Sequence, residues 1–499
     1  MAARLGFCLG SLLSFLDIGW KLCSGLTRAV LTNLCNAVGI FSDRCLMSPT
    51  LTDVYDKSAS SEVNNSGQTS QSKGPENDSS DAPKSICGSK SSQFVDKTSG
   101  SKHGTMSRPV EGAIIVGAGT SGLAAAACLR ERGVPITLLE KSGCIGSLWK
   151  ERTYDRLHLH TPKEFCQLPL MPLPASYPTY PNKKQFLDYL QEYVKRFDIK
   201  PIYNTNVDRA QYDENSKVWR VQTQGFSSSN GIEKAEYTAR WLIVASGENA
   251  EIVMPKLQGM KTYSGSILHS RNYKNGSEYV DKKVLVVGCG NSGMEIALDL
   301  ANFTAKPSIV VRDSVHVLPR EIFGASTFVV AMRLSKALPL WLTDWLLVFG
   351  TWLTLGNLAR YGLKRPIEGP LQLKQKTGKT PVLDVGTINQ IKNGNIKVVP
   401  KVVALMTSGV RFENGEFESY DAIIFATGYR SNVPMWLKGN FFGEDGSPSA
   451  SMRDGWKGER GLYAIGFTKK GLVGTFTDAT NIAKDIGRAY DHDMLQTAI

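Results

Sequence analysis

The chain has 499 residues, of which 42% are hydrophobic, so it is long enough to bury the cores of two or three domains. Its formal net charge of +12 favours anionic ligands. The basic residues are scattered and form no recognised nucleic-acid-binding module, so we expect no nucleic-acid partner. Nine cysteines occur without a C-x-x-C pair or metal-ligand spacing, which indicates free thiols in a reducing compartment and no metal site.

The first 108 residues differ in composition from the rest of the chain. Residues 1–47 form an apolar, basic N-terminal extension, and its apolar run at residues 5–16 is too short to span a bilayer. An interfacial membrane helix, a transit-like segment and a poorly ordered extension stay open as alternatives there. Residues 48–108 are polar and cannot bury enough apolar surface to fold, which predicts a disordered linker. The folded body is expected to begin near Pro109.

A strand, a glycine-rich turn and a helix open this body and predict a dinucleotide-binding unit. Residues 114–116 indicate the strand and residues 123–129 the helix. Between them lie three glycines at G-x-G-x-x-G spacing: Gly117, Gly119 and Gly122. This spacing permits a tight turn, the approach of a pyrophosphate and close helix–strand packing. The next strand, at residues 136–139, ends at Glu140, which would accept hydrogen bonds from ribose hydroxyls and repel a 2′-phosphate. The first site is therefore expected to bind FAD or NAD.

The chain after Glu140 predicts a turn that carries Trp149 over the dinucleotide. Residues 156–160 alternate like a strand, with His158 and His160 on one face. No third and fourth ligands lie nearby, so we expect no metal at this H-x-H. Further elements are expected in this order: a proline-rich loop at 168–181, an amphipathic helix at 184–197, strands at 218–223 and 237–245, and a cofactor-approaching turn at 245–249.

A second strand–turn–helix unit repeats the first with the opposite charge at its tip. Residues 283–287 indicate the strand and residues 294–300 the helix. The three glycines of this copy are Gly288, Gly290 and Gly293. Arg312, which follows the strand at 309–311, stands where the first copy has Glu140. A guanidinium can pair with a 2′-phosphate through two hydrogen bonds, so the second site is expected to bind NADPH.

The strongly apolar residues 323–358 could be mistaken for a membrane span. Pro339, Asp344 and Gly350 interrupt them, which favours helices that pack over the active site or rest on a membrane surface. The remaining elements are expected as follows: strands at 396–403, 420–425 and 461–467, turns at 426–429 and 471–474, and a helix at 478–490 whose N-terminal end lies near the flavin.

One site for an unphosphorylated ribose and one for NADPH together imply hydride transfer from NADPH to FAD. A disulfide reductase would need a redox-active cysteine pair after the first motif, and none is present. The reduced flavin is therefore expected to deliver electrons to dioxygen or to another acceptor.

Several stretches resemble known flavoenzymes. The pattern formed by Tyr263, Gly265, His269 and Tyr273 resembles the identifying sequence of flavin-containing monooxygenases, which usually opens with Phe. Closer similarity is to the plant YUCCA flavin monooxygenases, over about residues 109–490. The stretches that carry it are residues 152–157, 165–172, 247–251, 316–322, 361–366 and 461–467. Ser246 departs mildly from that pattern, since it replaces the usual Thr of an Ala-Thr-Gly turn.

The resemblance implies an α/β fold with two Rossmann-like domains, the NADPH domain being inserted in the FAD domain. The expected parts are an FAD-binding domain at 109–277 and 416–490, an NADPH-binding domain at 278–415 and a tail at 491–499. It also implies oxidative decarboxylation of the 2-oxo acid indole-3-pyruvate to indole-3-acetate, the plant hormone auxin, with dioxygen and through a flavin 4a-peroxide. Broad nitrogen or sulfur oxidation, or non-catalytic dinucleotide binding at a membrane surface, are the alternatives.

Motif matching assigns the cofactor-binding residues. They are Gly117, Gly119, Thr120, Ser121, Gly122, Glu140, Lys141, Trp149, Ser246, Gly288, Gly290, Asn291, Ser292, Gly293, Arg312, Thr427 and Gly428. His160 is the one candidate catalytic residue, and it either faces the flavin or has a structural role. We expect a cytoplasmic protein, with association at the endoplasmic reticulum surface or a transit-like N-terminus as open alternatives.

Overall fold

The computed structural model describes residues 106–227 and 231–497. Its first strand, β1 (Met106–Pro109), includes the last residues of the predicted linker, so the folded body begins slightly earlier than expected. The predicted extension and the rest of the linker lie outside the described residues. The next elements are β2 (Ala113–Val116), α1 (Thr120–Arg130), β3 (Ile136–Leu139), α2 (Ser147–Glu151), α3 (Lys183–Arg196), β4 (Thr205–Asp213), β5 (Val218–Ser227), β6 (Gly231–Ala239), β7 (Trp241–Val244), β8 (Glu251–Ile252) and β9 (Ser266–His269).

The second half of the described chain alternates short strands and helices. They are β10 (Lys283–Val287), α4 (Asn291–Asn302), β11 (Lys306–Val310), β12 (Val317–Pro319), β13 (Glu321–Ile322), β14 (Ala325–Ser326), α5 (Thr327–Ala337), α6 (Leu340–Leu355), α7 (Pro370–Thr377), β15 (Val382–Asp384), α8 (Thr387–Lys392), β16 (Lys397–Val399), β17 (Val402–Met406), β18 (Gly409–Phe412), β19 (Phe417–Ser419), β20 (Ala422–Phe425), β21 (Tyr429–Arg430), α9 (Val433–Trp436), β22 (Leu462–Ala464) and α10 (Gly471–Thr497).

The first Rossmann-like unit is a parallel sheet in the order β22-β7-β2-β3. All four residues of β2 are buried, as expected for a parallel strand that is covered on both faces. Helix α1 is buried from residue 122 to residue 129 because its run of alanines lets it pack closely against the strands and α10. Helix α3 begins with a capping box between Asn182 and Gln185. It buries one apolar face against the same core.

The second unit is also parallel, in the order β16-β11-β10-β20-β9. Its strands lie between β7 and β22 along the chain, so the predicted insertion of one unit in the other is confirmed. The sheet includes β9 and β20, which the predicted domain limits of 278 and 415 leave in the FAD-binding parts. Sheet pairing therefore assigns both strands to the second unit.

Several predicted elements differ in the structure. The strand expected at 237–245 is two strands, because the chain leaves a mixed sheet, in the order β1-β6-β5-β4, at Arg240 to enter the first parallel sheet. The strand expected at 396–403 is likewise divided between β16 and β17. Residues 156–160 form no strand and contribute one bridge, between His158 and Asn182. The turn expected at 471–474 is the first turn of α10, which also continues to Thr497 through most of the predicted tail.

The apolar residues 323–358 form two helices, α5 and α6, that are separated at Pro339. Proline cannot continue a helix through its interior, which explains the break. Within residues 106–227 and 231–497, no helix has both the length and the apolar character to cross a membrane. The prediction that residues 323–358 form helices and no membrane span is therefore confirmed.

Candidate dinucleotide-binding sites

The first glycine-rich turn leaves open space only where a ligand would approach. Gly117 has φ +107°, and a Cβ there would lie 2.6 Å from the carbonyl oxygen of Ala245. A Cβ at Gly122 would lie 1.8 Å from the carbonyl oxygen of Gly117, whereas a Cβ at Gly119 would have no atom of the described residues within 4 Å. The outer two glycines are therefore required by the protein's own packing. The middle glycine borders free space at the N-terminus of α1.

The second turn has the same arrangement. Gly288 has φ +118°, and a Cβ at Gly293 would lie 1.9 Å from the carbonyl oxygen of Gly288. At Gly290, no atom from the part of the chain that the structure describes lies within 4 Å of the added Cβ. No side chain caps the N-terminus of α1 or of α4. In both units, free N–H groups and the positive end of a helix dipole face the open space beside the middle glycine, which we call the cradle. Such a cradle fits a pyrophosphate.

The residues at the two strand tips differ as predicted in charge, and they also differ in exposure. Glu140 is buried and accepts hydrogen bonds from the N–H groups of Ala118, at 2.7 Å, and Ser142, at 2.8 Å. Each carboxylate oxygen keeps a further lone pair for a ribose hydroxyl. The Arg312 side chain is 68% exposed, and its Nε donates to Asp313 at 2.7 Å. Its two terminal nitrogens make no hydrogen bond to the described residues.

The turns after β7 and β20 differ in how their hydroxyls are used. The Ser246 hydroxyl is buried and has no hydrogen-bond partner within residues 106–227 and 231–497. A buried polar atom without a partner marks a place where a ligand or water completes the hydrogen bonding. Thr427 instead donates to the carbonyl oxygen of Val253 at 2.5 Å, and the Gly428 carbonyl accepts from the Val253 N–H at 3.0 Å. Ser246 thus fits a cofactor contact better than Thr427 does.

Other predicted site residues surround the cradles. Ser121 lies in the first turn of α1, with its hydroxyl 3.3 Å from that of Thr475 on α10. Trp149, on α2, packs against Phe186 with ring centroids 4.6 Å apart. Asn291, the first residue of α4, accepts from the Leu383 N–H at 2.9 Å. Thr120 and Ser292 also lie in the first turns of their helices, and Lys141 is exposed beside Glu140. Their contacts with a cofactor stay predictions.

His160 contacts a residue that the sequence does not single out. Its Nε2 lies 2.5 Å from Oε1 of Glu295, on α4. The position of Glu295, two residues after the last glycine of the second motif, is the only signal in the sequence. A second missed residue is Asp478, on α10, which accepts from the Gly466 N–H at 3.3 Å. Burial raises the pKa of Asp478 to about 6.

Comparisons with known proteins agree with this geometry. The family model described as "flavin-binding monooxygenase-like" matches residues 111–440. The chain belongs to this family. A probable indole-3-pyruvate monooxygenase of Arabidopsis thaliana, YUCCA9, is 55% identical over 76% of this chain and 90% of its own length. The indole-3-pyruvate monooxygenase YUCCA6 of the same plant is 53% identical over 77% of this chain and 92% of its own.

Solved structures show the same fold. An oxidised steroid monooxygenase bound to NADP superimposes with a TM-score of 0.63 and 17% identity, over 78% of this chain and 86% of its own. The predicted fold class and the resemblance to YUCCA-type flavin-binding monooxygenases are therefore confirmed. Because identity with the solved structure is low, it supports the architecture alone.

Alanine substitutions at Gly119 and Gly122 should have different effects. Gly122→Ala forces a methyl group against the Gly117 carbonyl, so we expect it to lower the free energy of unfolding by about 1–3 kcal/mol or more. Gly119→Ala should leave the stability of the FAD-free protein unchanged and lower the bound FAD, because its methyl group enters the open cradle. Thermal unfolding and flavin absorbance per protein measure the two effects. Equal unfolding temperatures for Gly122→Ala and wild type would contradict the packing argument.

Proposed function

We propose that this flavin-binding monooxygenase-like protein converts indole-3-pyruvate to indole-3-acetate with FAD and NADPH as cofactors, and so acts in auxin biosynthesis. The observation that carries the proposal is the identity of more than 50% with indole-3-pyruvate monooxygenases over about nine-tenths of their length. The two phosphate cradles, with an acid at one strand tip and an arginine at the other, support the same pair of cofactors.

The protein's own residues bind and orient in this reaction. The N-terminus of α1, with Glu140 and Ser246, would hold FAD, and the N-terminus of α4, with Arg312, would hold NADPH. When bound, these cofactors supply the redox chemistry with dioxygen. Indole-3-pyruvate, NADPH, a proton and dioxygen yield indole-3-acetate, carbon dioxide, NADP⁺ and water. One oxygen atom enters the acid and the other leaves in water. The surrounding protein must exclude bulk water, which would divert the oxidant to hydrogen peroxide.

Assay of the purified full chain tests this function. With indole-3-pyruvate, NADPH and air, we expect indole-3-acetate in a ratio of about one per NADPH consumed, as the balance above requires. NADPH consumption that yields only hydrogen peroxide, with the keto acid untouched, would contradict the proposal. Turnover of amines or thioethers together with indifference to 2-oxo acids would instead favour a broad nitrogen or sulfur oxygenase.

We also propose that an aromatic face of α6 associates with an anionic membrane surface. Three tryptophans that share this face are exposed, with exposed fractions of 70% for Trp341, 43% for Trp345 and 52% for Trp352. Phe349 lies between the last two and stacks on both, with ring centroids 5.3 Å and 6.2 Å away. The opposite face of the helix is buried. Tryptophan favours the membrane–water interface, which gives such a face a partner.

The charges around α6 favour an anionic partner. Exposed basic residues lie on the neighbouring segments: Lys336, Arg360, Lys364, Lys376 and Lys379. The acidic groups of residues 327–379 are Asp344 and Glu368. Asp344 is buried, where it accepts hydrogen bonds from the N–H groups of Leu371 and Gln372 at the start of α7. The segments on both sides of α6 in the chain therefore carry an excess of positive charge, as do the flanks of interfacial helices that bind acidic lipids.

Replacing Trp341, Trp345 and Trp352 together by serine should weaken binding to vesicles that contain phosphatidylserine, by about tenfold or more, because each ring loses its apolar transfer free energy. Vesicle co-sedimentation measures the effect, and FAD content should stay unchanged. A matched control replaces Ile232 and Phe417, which are exposed apolar residues elsewhere, by serine. Equal binding of the wild type and the triple variant would contradict the membrane proposal.

A further inference from the structure

A buried carboxylate on α4 contacts a histidine from a distant part of the chain. The Glu295 side chain is 5% exposed, and its Oε1 lies 2.5 Å from Nε2 of His160. A carboxylate at this depth loses its hydration, so it needs a hydrogen-bonding partner. The His160 side chain, which is 29% exposed, supplies that partner from the first Rossmann-like part of the chain.

Core packing and hydrogen bonds together fix the segment around His160, since Tyr154 and Leu157 are buried in the hydrophobic cluster that includes residues of α4. The segment has no strand, and between α2 and α3 the structure has one short 3₁₀ turn, Lys163–Phe165. On one side the segment is held by the Leu159 N–H, which donates to the Pro181 carbonyl oxygen at 2.9 Å. On the other side it is held by α4, through His160 and through Arg156, whose Nη1 donates to the Glu295 carbonyl oxygen at 3.4 Å.

Neighbouring side chains show that the Glu295 carboxylate influences this junction. Tyr154 is buried, and burial together with the negative charge of Glu295 raises the pKa of its hydroxyl well above the ordinary value. The two segments therefore share a polar contact whose carboxylate side is buried, and burial strengthens its hydrogen bonds.

The His160–Glu295 contact lies between the two proposed cofactor sites, and this location indicates its role. Glu295 lies in α4, the helix whose N-terminus forms the second cradle. His160 follows α2, the helix that carries Trp149 beside the first cradle. We propose that His160 and Glu295 are a positioning pair that fixes the NADPH-site helix relative to the segment beside the FAD site. The inference rests on the proposed cofactors and not on the identity of the substrate. Hydride transfer requires the reacting atoms to lie about 3–3.5 Å apart, so a small displacement slows it strongly.

Anaerobic flavin reduction tests the pair in the FAD-loaded full chain. At saturating NADPH, His160→Ala and Glu295→Gln should each lower the reduction rate constant about tenfold to a hundredfold, while FAD content and the Kd for NADPH change little. The double variant should be no slower than the slower single variant, because both remove one interaction. His158→Ala is the matched control, since His158 is exposed in the same segment and hydrogen-bonds to the Arg156 carbonyl oxygen.

Hydrogen exchange gives a second readout that needs no turnover. In the FAD-loaded protein without NADPH, the amides of α4 should exchange faster in His160→Ala and Glu295→Gln than in wild type or His158→Ala. A reduction rate constant within about twofold of wild type in either single variant would overturn the inference, as would unchanged exchange in α4. If NADPH does not reduce the wild-type flavin, the proposed function fails, and hydrogen exchange still decides whether the pair fixes α4.

Discussion

Both dinucleotide sites depend on the close approach of a helix's first turn to the turn that follows a parallel strand. The third glycine of each motif lies so close to the carbonyl oxygen of the first that a Cβ would overlap it, at 1.8 Å in one unit and 1.9 Å in the other. This contact directs the uncapped N-termini of α1 and α4 toward the open space beside Gly119 and Gly290. The proposed phosphate binding therefore follows from main-chain packing, and in our proposal side chains at the strand tips select the nucleotide.

Glu140 and Arg312 would select the nucleotide by different physical means. Glu140 is buried and already oriented by two main-chain N–H groups, so its carboxylate has little freedom to lose when it accepts a ribose hydroxyl. Arg312 is exposed and bonds to its neighbour Asp313, which a phosphate could displace from the guanidinium. In our proposal, the first site therefore holds its cofactor tightly, whereas the second binds and releases its nucleotide in each turnover.

The sequence predicts what local spacing determines. Within each unit, the glycine-rich turn, the helix after it and the residue at the strand tip lie within about 30 residues of one another, and the structure has them as expected. Contacts between distant residues were not predictable in this way. The His160–Glu295 pair joins residues 135 apart, and no spacing rule connects them. The membership of β9 in the second sheet, the use of Thr427 in a hydrogen bond to Val253 and the raised pKa of Asp478 likewise result from tertiary packing.

The affinities of Arg312→Ala for NADPH and NADH test most directly the claim that a charge at the second strand tip selects the nucleotide. We expect the Kd for NADPH to rise about tenfold to a hundredfold, as loss of a hydrogen bond to a charged group requires, with the Kd for NADH and the FAD content nearly unchanged. Arg209→Ala, which removes an exposed arginine from β4, is the control. An unchanged preference for NADPH over NADH would contradict the account.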